Sequence, residues 1–147
     1  MQPIASFDAL APGMTFELGG FSLSREDIVG FAGRYDAQPF HLDEEAGRAS
    51  VFGGLVASGL HTLSAAVGHM IRSGLLAEVS QGGGGMEVKW PAPLRPEERV
   101  AMRIEVVETR ASASKPGLGI AKLRYVVTRE ADGVVVMEVL ATHFMRR

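Results

Sequence analysis

Cysteine is absent from the 147 residues. That excludes disulfides, thiolate metal centres and cysteine nucleophiles. A dominant charge is lacking too: 15 Lys and Arg stand against 17 Asp and Glu, so 15 − 17 = −2. Nothing here resembles the basic footprint of a nucleic-acid binder, and an acidic ligand has to be met by a local basic patch. No run of about 20 apolar residues occurs, so no membrane contact through a spanning helix is expected. The opening MQPIASFDAL lacks the basic and apolar regions of a secretory leader. A cytoplasmic location is the expectation. What is present is ordinary for a globular chain: 46% hydrophobic and 22% charged residues. The length suits one domain over 1–147, able to bury about two-thirds of its unfolded surface.

The pattern changes period along the chain. Met14–Leu18 is a short strand candidate closed by Gly19 and Gly20. Ser24 and Asp27 form a variant capping box, and Ile28, Phe31 and Ala32 share a face, which predicts a helix from about Arg25 to Gly33. Asp43 opens a short helical turn over Glu44–Ala49, its acidic start DEE solvated and suited to the helix dipole. From Leu55 to Arg72 the chain predicts one helix of about 27 Å. Its apolar residues wrap more than one face, so it is expected to be enclosed by the rest of the domain. After it, period two takes over. Gly84–Trp90, Val100–Val106, Leu123–Val127 and Val134–Phe144 are strands, with Asp132-Gly133 as a tight hairpin turn. One strand, then helices, then four strands predicts an α+β fold with a single antiparallel sheet curled around one helix.

The stretch RYDAQPFHLDEE places Asp36 and His41 five positions apart, with Gln38 and Pro39 between them. A carboxylate and an imidazole are the groups that general acid–base chemistry uses. Pro39 fixes its own φ and pushes Gln38 towards extended geometry, which predicts a stiff loop and no helix over 36–41. Alone, Asp36 is an ordinary turn residue and His41 an ordinary loop residue. Four other features have simple structural readings. The glycines 82–85 lack the Lys-Ser/Thr of a phosphate loop and predict a flexible turn into the next strand. His61 and His69 are too far apart on one helix to share a metal without other ligands. His143 belongs to a strand. No Gly-x-Ser-x-Gly elbow marks a nucleophilic serine.

The segment YDAQPFHLDEEAGRASVFGGLVASG resembles the MaoC-like, R-specific enoyl-CoA hydratase family of hot-dog folds. That signature is Asp-x-Asn-Pro-aliphatic-His, then a Phe-Gly stretch and a glycine at the start of a central helix. Asp36, Pro39, His41, Phe52-Gly53-Gly54 and Gly59 stand in register with it. EVKWPAPLRPEERV resembles the family's strand-and-proline segment, so the likeness runs over about 14–145. Gln38 replaces the family's Asn, Phe40 its aliphatic residue and Ser58 its frequent His.

The resemblance implies a hot-dog fold, an antiparallel sheet wrapped around one long central helix. It implies reversible addition of water to a trans-2-enoyl-CoA, giving an (R)-3-hydroxyacyl-CoA. Asp36 and His41 would be the acid–base pair on one water, and the Gly59 N–H the donor to the thioester oxygen. A glycine there permits close approach of a ligand or simply close helix–sheet packing. Gln38, Phe40 and Ser58 would meet the substrate, and Arg34, Arg95 and Lys115 are candidates for the CoA phosphates. The resemblance implies no metal and no cofactor beyond the CoA of the substrate, and at least a homodimer. Two alternatives stay open: a hot-dog acyl-CoA thioesterase, disfavoured because Leu55–Arg72 holds no Asp or Glu, and a non-catalytic acyl-CoA-binding partner subunit.

Overall fold

Period-two segments become long strands. The computed structural model describes residues 1–147, with strands β1 (Thr15–Ser22), β2 (Ser80–Lys89), β3 (Arg99–Ala111), β4 (Leu118–Arg129) and β5 (Val135–Arg146). The helices are α1 (Arg25–Tyr35), α2 (Pro39–Leu42), α3 (Glu44–Ala49) and α4 (Gly59–Arg72). All pairings are antiparallel, in the spatial order β1-β3-β4-β5-β2. One face of β3, β4 and β5 is closed by Val100, Met102, Ile104, Leu123, Tyr125, Val127, Val139 and Ala141, all buried in one continuous core. Thr62, Ala66 and Met70, spaced four apart, are the buried stripe of α4. No helix is long and apolar enough to cross a membrane.

Several expected elements differ, each for a physical reason. α4 begins at Gly59 and not at Leu55. The backbone of 55–58 is bonded sideways: Val56 N–H donates to Phe40 O at 3.2 Å and Ala57 N–H to Leu94 O at 2.8 Å. With its amides taken by neighbours, this buried segment is extended, and Ser58 caps the helix. α4 is also not enclosed, since Leu60 and Ile71 are exposed on the face opposite the buried stripe. The segment 36–41 is not all loop. Pro39 is the first residue of α2, where its fixed φ and missing N–H suit a helix start, and His41 lies within that turn.

The glycines 82–85 are strand and not turn. They lie inside β2 against β5, with one register shift just before the run and one within it, between Gly83 and Gly85. β1 runs past Gly19, whose φ of 71° makes the bulge, and ends at Ser22. Asp132-Gly133 lies in a five-residue connection where Arg129 grips the Asp132 carboxylate at 2.8 Å. The DEE run is not merely solvated: Asp43 accepts from Ala46 N–H at 2.9 Å, and Glu44 pairs with Arg25. The Ser24 cap on Asp27 N–H is present at 3.1 Å.

Candidate active site

Asp36 terminates α1, its N–H bonded to Ala32 O at 2.9 Å. α2 starts three residues later and turns His41 back towards it. His41 Nε2 lies 3.4 Å from Asp36 Oδ2. Its other nitrogen, Nδ1, is 2.7 Å from Val56 O. A carbonyl oxygen only accepts, so Nδ1 carries the proton and donates. In the neutral ring Nε2 is then the bare lone pair, and it faces the carboxylate.

Asp36 is held at both oxygens. Gln38 Nε2 donates to Oδ1 at 2.8 Å, and Ser58 Oγ donates to Oδ2 at 2.7 Å. The Gln38 bond first, then the Ser58 bond, hold the Asp36 carboxyl below the ordinary carboxylate range; a nearby His41 charge adds to this and burial opposes it. Asp36 is therefore ionised wherever the chain is folded near neutral pH.

Beside the pair opens a cavity of about 600 Å³. Asp36, Gln38 and His41 stand in its wall with Phe40, Phe52, Val56, Leu60 and Trp90. Phe40 packs its ring on Phe52 at 5.2 Å and edge-on to His41 at 4.6 Å, so it both shapes the cavity and steadies the imidazole. Gly59, the first residue of α4, also lines the cavity. Its N–H donates to no group of the protein, as expected for a first helical residue. Close packing is one reason for a glycine here. A Cβ there would lie 2.6 Å from Trp90 Cε2, and Trp90 Nε1 donates to Gly59 O at 2.9 Å.

Ser58, expected to meet the substrate, and Arg34, Arg95 and Lys115, expected to meet its CoA phosphates, are not in the cavity wall. Ser58 is fully buried and does not line the cavity. Its hydroxyl donates to Asp36 and accepts from Leu60 N–H at 3.2 Å, so it ties the carboxylate to the start of α4. Arg34 is outside the wall, its guanidinium 5.4 Å over the Tyr35 ring. Arg95 lines a neighbouring groove and donates to Phe52 O. In that groove Arg129 is matched by Glu98 and Asp132, which leaves little net positive charge. Lys115 belongs to the turn before β4, where Leu118 pairs with Arg146; the cavity meets β5 at its other end, at Val136.

Trp90 and Thr62 are cavity residues that the sequence pattern did not mark. Trp90 had a signal, as the one tryptophan of the chain, set before Pro91-Ala92-Pro93. Thr62 had none. His61 stacks on Phe31 with centroids 4.6 Å apart, and His69 Nε2 lies 2.7 Å from Leu18 O, so neither is aligned for a shared metal. His143 shares a buried hydrogen bond with the Tyr125 hydroxyl.

The sequence pattern of the MaoC like domain family matches residues 8–127. A MaoC-like dehydratase from Rhodospirillum rubrum superposes with a TM-score of 0.90 at 36% identity, over 97% of each chain. A monoamine oxidase regulatory protein from Archaeoglobus superposes with a TM-score of 0.85 at 26% identity, over 99% of this chain and 95% of the other. The R-hydratase PhaJ1 from Pseudomonas aeruginosa shares the fold, with a TM-score of 0.71 at 19% identity over 97% of this chain and 85% of that one. The antiparallel five-stranded sheet packed on α4 is the hot-dog fold.

Proposed function

The chain belongs to the MaoC-like domain family, and from that membership and the Asp36–His41 geometry we propose a hydro-lyase that adds water reversibly to a trans-2-enoyl-CoA, giving an (R)-3-hydroxyacyl-CoA. The observation that carries the reading is His41 Nε2 held 3.4 Å from Asp36 Oδ2 in a cavity wall. Two acceptors converge there on one point, and a single water molecule can donate one proton to each.

Of the two, His41 is the group that exchanges the proton. Asp36 already accepts two hydrogen bonds and is a weak base. His41 has one nitrogen committed to Val56 O and the other open. In the forward direction, Nε2 takes a proton from water as the oxygen bonds to C3 of the enoyl group. Electrons move through C2 to the thioester oxygen. The imidazolium, stabilised by Asp36, returns the proton to C2, and one water has been added across the double bond. The Gly59 N–H, which no group of the protein occupies, is the donor assigned to the thioester oxygen as its charge grows; loss of such a donor typically costs about 2.7–4 kcal/mol of barrier. The chemistry calls for no metal and no cofactor beyond the substrate's own CoA, and a cytoplasmic location goes with it.

A homodimer belongs to the same proposal. β2 is an edge strand exposed along nearly its whole length, and Leu60 and Ile71 leave an apolar stripe on α4. Two copies joining at β2 would cover both.

The test is absorbance of the conjugated thioester of crotonyl-CoA, with free thiol followed in parallel. Loss of the band without thiol release, abolished by Asp36→Asn, supports the hydratase. Release of free CoA supports the thioesterase and overturns it.

A further inference from the structure

Thr62 lies on α4 one turn beyond Gly59. It is only 3% exposed, yet it lines the cavity. A helical threonine usually bonds its hydroxyl to a carbonyl of the preceding turn. Here that carbonyl, Ser58 O, receives the backbone N–H groups of His61 and Thr62, at 3.0 and 3.1 Å. The Thr62 hydroxyl has no partner in the protein. The one polar side-chain atom both sealed and unpartnered is His61 Nδ1. The Thr62 hydroxyl is therefore unpartnered but not sealed, and Thr62 stands in the cavity wall.

Buried polar groups are rarely left unpaired, and a ligand that completes such a group is favoured over one that leaves it bare. Each of the other polar side chains of the wall already has a protein partner: Gln38 bonds Asp36, Asp36 bonds Ser58, Trp90 bonds Gly59 O, and His41 bonds Val56 O while its second nitrogen faces Asp36. Nor does any Lys or Arg line the cavity, whereas Asp36 brings a negative charge. A carboxylate on the acyl group would be repelled.

We infer that Thr62 is a specificity residue, and that the cavity selects acyl thioesters carrying a neutral hydrogen-bonding substituent, a hydroxyl or ketone, close to the reacting carbons. The inference rests on the hydratase reading for its thioester. It adds the class of acyl group. Three residues of helix put Thr62 about 4.5 Å along α4 from Gly59. With the thioester oxygen at Gly59, that distance reaches the fourth or fifth acyl carbon.

The test uses binding, so that its outcome does not depend on turnover. Butyryl-CoA and 4-hydroxybutyryl-CoA are titrated calorimetrically into wild type, Thr62→Val and Thr62→Ser. Wild type should bind the hydroxylated ester about tenfold more tightly, the worth of one good hydrogen bond. Thr62→Val should erase that difference by weakening the hydroxylated ester about tenfold more than butyryl-CoA, while Thr62→Ser should keep it. Equal affinities in wild type, or equal weakening of both esters by Thr62→Val, overturn the inference. Crotonyl-CoA and 4-hydroxycrotonyl-CoA are then assayed for hydration. A binding preference with no hydration of either overturns the hydratase reading alone; no binding of either ester overturns both.

Discussion

His41 and His143 are buried almost equally, 6% and 8% exposed, and each faces an oxygen acid. Their surroundings give them opposite chemistry. His41 faces a carboxylate at a cavity wall, with its tautomer set by a backbone carbonyl. His143 faces the Tyr125 hydroxyl inside the sheet's core layer. Burial pushes the Tyr125 phenol up and the His143 imidazole down, so both stay neutral near neutral pH. A neutral pair away from the cavity can hold two strands together but has no proton to trade. Burial does not separate a reactive imidazole from a structural one. The partner's charge and an adjoining cavity do.

The largest effect that would break this comparison is on turnover. His41→Ala should lower kcat by about 10²–10⁴, the usual worth of a positioned general base. His143→Phe should leave it unchanged in a steady-state hydration assay. Similar losses from both would sink the distinction.

Next is Ser58→Ala, which removes a support of the reactive pair without touching the cavity. A loosened Asp36 should cost about tenfold to a hundredfold in kcat. Losing the Ser58 bond raises the Asp36 pKa, so the carboxyl titration followed by NMR should move to higher pH. A loss of rate with an unmoved carboxyl titration would mean Ser58 serves only the helix cap.

Tyr125→Phe probes the structural pair. It leaves a buried imidazole nitrogen unpaired and should cost about 1–3 kcal/mol in urea unfolding, with kcat intact.

The smallest effect is linkage. His143 has a depressed folded pKa, so its contribution to stability is complete above its unfolded value of about 6.5 and is lost as pH falls below that. Asp36 is also depressed, but its contribution is lost only at more acid pH, below about 4. Unfolding free energy should fall between pH 6.5 and 5 by at most about 1.4 kcal/mol per unit for this one proton, and His143→Phe should reduce the slope to what His61, also lowered by burial, contributes. An unchanged slope in the variant would assign the titration elsewhere.

Much of the frame was already visible in short stretches. Alternation in Val100–Val106 marked a central strand, and Ser24 marked a helix start, because side-chain period and capping act within a few residues. Asp36, Pro39 and His41 were recognisable as a unit through the motif they share with the family, since all three fall within six residues. Pro39 misled only in part: its stiffness was read as loop, although the same fixed φ also starts a helix. α4 misled more, because its exposed apolar face looked like a second buried one.

By itself, then, the sequence determined the order of elements and the proximity of an acid to an imidazole, both set by local geometry over a handful of residues, and its motifs carried the resemblance to the family. Only the tertiary structure decided that Ser58 clasps Asp36 from 22 positions away, that Leu55–Ser58 is pulled straight by Phe40 and Leu94, and that Trp90 covers Gly59. It also decided that the Thr62 hydroxyl is left without a partner. Each of these depends on which distant groups compete for the same donor or the same space, and that competition exists only once the chain has closed on itself.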